Sequence, residues 1–191
     1  RGNETFSPAA STSGTTACTR LSQLGIGDVD GDGDLDFVGL NECGNKRFEV
    51  LRNRGDGRFD STVISAVEEN IGNYRLADVD GDTDLDIVFN FNDGTQERVR
   101  YLRNDGRGSF VDGGLLADEF DIRSFHVLPD LNGDGRTDMI ARLYPSGLPV
   151  VLLNENGLAA HFVSLGVGES LSNLDFGAVE QGSVGGVGTA S

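Results

Sequence analysis

The stretch "DVDGDGDLDFV", Asp28 to Val38, carries five aspartates in eleven residues, one at every second position from Asp28 to Asp36. Carboxylates this close repel one another. They stay together only if a positive charge sits among them, or they spread apart in water. A second copy, "DVDGDTDLDIV", runs from Asp78 to Val88, and a diluted third, "PDLNGDGRTDMIA", from Pro129 to Ala141. An acidic loop repeated three times points to a bound cation rather than to a chance acidic turn.

The copies begin at Asp28, Asp78 and Asp130, so they recur 50 and 52 residues apart. A second landmark keeps step with them. "LRNRGDGRF" at Leu51 to Phe59 is answered by "LRNDGRGSF" at Leu102 to Phe110 and, more loosely, by "LLNENGLAAHF" at Leu152 to Phe162. Two landmarks sharing one period make this a repeat protein. The chain divides into units at about 13–66, 67–117 and 118–168.

Each unit reads as four short strands. They are expected at 19–27, 35–41, 47–53 and 58–65 in the first unit, and at 74–77, 85–91, 98–104 and 109–116 in the second. In the third they fall at 124–128, 138–144, 149–154 and 160–165. Runs such as "DIVFNF" and "PVVLL" are apolar almost without a break, which suits strands covered on both faces. Four strands in about fifty residues is what a propeller blade needs. The fold class is therefore all-β, with three four-stranded propeller-type blades. "RGNETFSP" at Arg1 to Pro8 aligns with "RGDGRFDS" at Arg54 to Ser61, so residues 1–12 read as the end of a preceding unit, an orphan strand. Residues 169–191 have no aspartate loop and are rich in Gly and Ser. They read as a linker, as the first strand of a following module, or as a strand added to a neighbouring sheet.

Composition narrows the function. The 191 residues hold 31 acidic and 15 basic side chains, a formal charge of −16, which argues against nucleic acid and anionic membranes as partners. No run of 18 apolar residues is present, so no helical membrane span is expected. No nucleophile elbow, Cys–His pair or phosphate loop appears, and the carboxylates belong to the metal loops, so the chain reads as a non-enzyme. His126 stands at a strand position matched by Leu76 and reads as a packing residue. "RGD" at Arg54 to Asp56 falls where the second repeat has "DGR", and reads as a hairpin turn.

Two cysteines are present. Pairing Ile26 with Phe37 across a hairpin closed by the first loop puts Cys18 opposite about residue 45, close to Cys43. A disulfide between Cys18 and Cys43 is expected. It would stabilise by about 3 kcal/mol on the loop-entropy model and fits an oxidising, extracellular compartment. Asn3 opens the one Asn-x-Ser/Thr sequon and is a possible glycosylation site.

Calcium takes six to eight hard oxygen ligands. In the first loop the side-chain ligands are expected to be Asp28, Asp30, Asp32 and Asp36, with a carbonyl from about Asp34. In the second they are Asp78, Asp80, Asp82 and Asp86, with the carbonyl of Asp84. In the third they are Asp130, Asn132, Asp134 and Asp138, with the carbonyl of Arg136. An EF-hand needs Glu twelfth in the loop and helical flanks. The twelfth residues here are Gly39, Phe89 and Ala141, and the flanks read as strands. Magnesium dehydrates reluctantly and avoids all-protein cages.

With these residues in view, "DVDGDGDLD", "DVDGDTDLD" and "DLNGDGRTD" resemble the calcium loops of FG-GAP/VCBS repeats, found in integrin-α-like β-propellers and many secreted bacterial proteins. The resemblance covers roughly residues 1–168. It implies about three calcium ions, each in the hairpin between the first two strands of a blade. Thr83 departs from the glycine found at Gly33 and Gly135, which implies strain at the second site. The function expected is an extracellular, calcium-stabilised structural or adhesive module. The alternatives are a carbohydrate-binding module and a self-assembling filament subunit. The expected partners are other blades or copies of the same chain, with surface proteins or glycans as further possibilities.

Overall fold

The computed structural model describes residues 20–44, 46–64, 70–117, 121–128, 130–154 and 160–164. Asn3, Cys18, the orphan strand at residues 1–12 and the segment 169–191 lie outside the described residues.

The first sheet is an antiparallel meander of β1 (Leu21–Gly27), β2 (Asp36–Asn41), β3 (Arg47–Asn53) and β4 (Phe59–Ile64). The second repeats it with β5 (Asn70–Ala77), β6 (Asp86–Asn92), β7 (Glu97–Asn104) and β8 (Phe110–Ala117). The third uses β9 (Ile122–Leu128), β10 (Asp138–Leu143), β11 (Pro149–Asn154) and β12 (Ala160–Ser164). All twelve strands expected within the three units are present, and each sheet has the order of a propeller blade. No helix among the described residues is long and apolar enough to cross a membrane.

The expected pairing of Ile26 with Phe37 is found. A bulge between Ser22 and Leu24 then shifts the register by one residue, with Gln23 at a φ of 52°. A second bulge lies between Ile71 and Tyr74 in β5. That bulge explains why β5 begins at Asn70 rather than at the expected residue 74. Gly72 and Asn73 interrupt the alternation of side chains, but the ladder resumes on their N-terminal side.

The blades stack in sequence order, with β1 beside β5 and β5 beside β9. One core lies between the first and second sheets and includes Val38, Leu40, Phe48 and Val50 against Ile71, Ile87, Phe89 and Leu102. Phe48 meets Phe89 edge-on at 5.4 Å and Tyr74 at 5.1 Å, a favourable arrangement for aromatic quadrupoles. A second core packs Val88, Val99 and Tyr101 against Ile122, Phe125, Met139, Val150 and Leu152. The central sheet is thus covered on both faces. Ile87, Val88 and Phe89 point alternately into the two cores and are all fully buried, the physical cause of the unbroken apolar run.

Tyr74 ties the first two sheets together. Its hydroxyl accepts the Gly25 N–H at 2.7 Å and lies against the carbonyls of Gln23 and Val38, to one of which it can donate. Burial pushes this phenol up to about 12, so it stays a neutral donor. His126 does not pack as expected. It lies exposed on the edge strand β9, where its outward face meets Arg75 at 3.5 Å.

Candidate metal centre

Each aspartate loop closes the hairpin between the first two strands of its blade, and the three are built alike. The leading aspartate spans its own loop with both oxygens. Asp28 accepts the N–H groups of Gly31 at 2.8 Å and Gly33 at 2.9 Å. Asp78 accepts those of Gly81 at 2.8 Å and Thr83 at 2.9 Å. Asp130 accepts those of Gly133 at 2.6 Å and Gly135 at 2.8 Å. These amide bonds, Gly135's foremost, hold the Asp130 carboxyl below its ordinary range.

The curl that brings these amides inward needs a left-handed backbone at two positions per loop. Gly31 and Gly33 have φ of 75° and 89°, and Gly133 and Gly135 have 84° and 85°. In the second loop Gly81 is followed by Thr83 at 80°. A β-branched residue there is strained, as the sequence comparison implied. Thr83→Gly should therefore stabilise the protein by about 0.5 to 1 kcal/mol, the left-handed strain less the entropy that glycine adds to the unfolded chain. Urea unfolding of the two proteins would measure it. An unchanged or lower midpoint would mean that the loop absorbs threonine without strain.

The last aspartate of each loop is buried and joins the loop to the third strand of its blade. Asp36 accepts from Val29 N–H at 2.9 Å and from Asn53 N–H at 2.8 Å. Asp86 accepts from Val79 N–H at 3.0 Å and Asn104 N–H at 2.8 Å. Asp138 accepts from Leu131 N–H at 2.7 Å and Asn154 N–H at 2.9 Å. Each oxygen takes one amide and keeps a lone pair for another partner.

Asp28, Asp30 and Asp32 bring one carboxylate oxygen each to within 4.8 Å of one another, and so do Asp78, Asp80 and Asp86. In the third loop Asn132 replaces one acid. Its side-chain amide donates to Asp134 at 3.2 Å, and Asp130 and Asp138 stand at the loop's two ends.

Two of the aspartates assigned a backbone carbonyl turn their side chains toward the next hairpin turn. The Asp34 carboxylate is turned away to the β3–β4 turn, where a Cβ on Gly55 would lie 2.6 Å from Asp34 Oδ2. Asp84 meets Gly106 in the same way, at 2.4 Å. Gly55, with a φ of 71°, is thus required by the neighbouring loop, and "RGD" is a hairpin turn as expected. Arg54 in that turn forms a two-pronged ion pair with Asp60. Arg136 lies between loops: a Cβ on Gly81 of the second loop would lie 3.7 Å from its Cγ, and it pairs with Asp134 at 3.9 Å.

The electrostatics fit a cation. Asp30 Oδ1 is buried with no hydrogen-bond partner. Desolvation, and then the charges of Asp36 and Asp32, push the Asp30 carboxyl above its ordinary range. Desolvation followed by Asp82 does the same to Asp80. Burial pushes Asp86 up to about 6, against the amides of Asn104 and Val79 that favour its charge. An orphaned carboxylate oxygen among acids that resist ionisation needs positive charge. Side-chain and main-chain oxygens with no sulfur or imidazole among them suit a hard divalent ion.

The sequence reading missed the asparagines that end the third strands. Asn104 Nδ2 donates to its own Leu85 carbonyl at 3.1 Å and to the Val29 carbonyl of the preceding blade's loop at 2.8 Å. Asn154 Nδ2 repeats this with Thr137 at 3.4 Å and Val79 at 2.5 Å. Asn53 Nδ2 donates to Leu35 at 3.3 Å. The signal was present in the recurring "LRN", "LRN" and "LLN".

Cys43 follows β2, where its N–H donates to Asn41 Oδ1 at 2.9 Å; its expected partner, Cys18, is outside the described residues. Residues 28–89 and 78–141 each match the family model described as FG-GAP-like repeat, and the two matches overlap on the second aspartate loop. A search of curated proteins finds no match to the chain.

Proposed function

Because the chain belongs to the FG-GAP-like repeat family, we propose that it is an extracellular, calcium-stabilised β-repeat module with a structural or adhesive role. The observation that carries this reading is the buried, unpartnered Oδ1 of Asp30 inside a ring of carboxylates. Calcium bound there would be held by Asp28, Asp30, Asp32 and Asp36 with the carbonyl of Asp34. The equivalent sets are Asp78, Asp80, Asp82, Asp86 and Asp84, and then Asp130, Asn132, Asp134, Asp138 and Arg136. The ion supplies the charge that lets the acids remain ionised together. The loop amides and the last aspartate then hold the hairpin in one shape, and the blade sheets present a rigid surface.

A disulfide between Cys18 and Cys43 belongs to the same reading. The bulge at Gln23 moves the β1–β2 register one residue toward Cys43, and none of the described cysteines is a free thiol. Such a bond would place the protein outside the reducing cytosol.

Assembly with a further blade, from the same chain or from another copy, is a second reading. It is favoured by Asn53, which among the described residues makes no bond to a preceding loop, although Asn104 and Asn154 both do.

Calorimetric calcium titration of the wild type, Asp32→Ala and Asp34→Ala tests the ligand assignment. Asp32 offers its side chain to the first loop, whereas Asp34 offers a carbonyl that alanine keeps. Asp32→Ala should weaken binding at that loop by about 10-fold or more, and Asp34→Ala far less. Equal losses would mean that the assigned register is wrong, and no binding by the wild type would end the calcium reading.

A further inference from the structure

Asn104 touches two aspartate loops at once. Its N–H donates to Asp86 in the second loop, and its side chain donates to the Val29 carbonyl in the first. The peptide group it steadies lies between two assigned ligands. Val29 lies between Asp28 and Asp30, and its own N–H is held by Asp36. Asn154 makes the same link one step on, with its N–H on Asp138 and its side chain on the Val79 carbonyl between Asp78 and Asp80. Both links span 75 residues of sequence. The three loops are therefore joined in series through two single side chains. Asn104 is itself fixed, since it is 2 % exposed and its Oδ1 accepts the Gly108 N–H at 3.1 Å.

We propose that Asn104 and Asn154 are positioning residues that couple the three loops, so that calcium in one loop raises the affinity of the loop before it. The inference rests on the calcium reading above. Without an ion, the carboxylates of a loop repel and its backbone samples wider shapes. An ion in the second loop draws in Asp86, and Asp86 holds the Asn104 backbone. The Asn104 side chain is then fixed where the Val29 carbonyl meets it. The first loop has less order left to gain on binding its own ion, and a shared ordering cost of this kind is a coupling free energy. Linkage makes the effect reciprocal, so an ion in the first loop favours the second equally.

The test is a double-mutant cycle on the full chain, with calcium alone as the probe. Loop-one occupancy is followed through the amide resonances of Gly31 and Gly33. With Asn104 intact, Asp80→Asn in the second loop should lower the affinity of the first loop by about fivefold or more. In an Asn104→Asp background the same change should leave loop-one affinity within about twofold. Asn104→Asp keeps the acceptor for Gly108 and replaces the Nδ2 donor with a charged oxygen. Asn104→Ala, run in parallel, should lose the coupling too, which separates the lost donor from the added charge. Asn53→Ala is the control for general weakening of a blade. Among the described residues it joins no preceding loop, and it should leave the coupling intact. The proposal is overturned if Asp80→Asn leaves the first loop unaffected while Asn104 is present. It is equally overturned if the coupling persists in both Asn104 variants, or disappears in Asn53→Ala. A first loop that binds no calcium in the wild type would overturn the calcium reading and this inference with it. Binding that is intact but uncoupled would overturn this inference alone.

Discussion

Chelating calcium should lower the melting temperature of this protein by about 15 to 30 °C. The size follows from linkage. An ion present at a hundred times its dissociation constant stabilises the folded state by about 2.7 kcal/mol per site, and three sites give about 8 kcal/mol. In a chain of this length each kcal/mol moves the midpoint by about 2 to 4 °C. The direction follows from the loops themselves. Ten aspartates stand in the first two loops, and desolvation already pushes Asp30, Asp80 and Asp86 toward protonation. Removing the ions leaves that repulsion inside the hairpins that form the blades. Scanning calorimetry in chelator and in excess calcium would measure the shift. Magnesium should restore much less of it, because it holds its water and fits a flexible oxygen cage poorly. The same melting curve in chelator and in calcium would contradict a structural ion.

Asp86→Ala should be the most damaging single change in the second loop, at about 3 to 5 kcal/mol in calcium. Asp86 is fully buried and accepts the amides of Val79 and Asn104. Alanine strands both N–H groups, at about 1 to 3 kcal/mol each, and also removes a carboxylate from the trio with Asp78 and Asp80. Asp82, by contrast, is exposed and accepts the neighbouring Asp84 amide. Asp82→Ala should weaken calcium binding but cost much less stability in chelator. Denaturant unfolding of both variants, with and without calcium, separates the two roles of Asp86. Equal stability of the two variants in chelator would show that the amide bonds to Asp86 contribute little.

The parts of this molecule that repeat were legible in its sequence. The aspartate loops and the "LRN" turns share one period, and alternation of apolar residues between them places all twelve strands. Features that break the alternation or join neighbouring sheets were harder to read. The β5 bulge at Gly72 and Asn73 breaks the alternation, so the strand's first half looks like loop. Tyr74 pins two blades by a hydroxyl that reaches the main chain of the neighbouring sheet, and no periodicity marks a contact between sheets. His126 looked like a core residue because the sequence comparison set it against Leu76, but the strand registers are offset by one: Val127 takes the place of Leu76, and His126 takes that of Arg75. The asparagines at 53, 104 and 154 were visible as a motif but not as a link between loops. The carbonyls that Asn104 and Asn154 reach in the preceding loops belong to residues 75 positions away, and a carbonyl leaves no mark in the sequence.

The central claim is that the aspartate loops hold calcium as part of the fold. The most direct test is a crystal grown in calcium, with anomalous diffraction recorded at a wavelength where calcium scatters. One anomalous peak is expected inside each of the loops 28–36, 78–86 and 130–138, surrounded by the oxygens assigned above. Loops that keep their shape with no anomalous peak in any of them would contradict it.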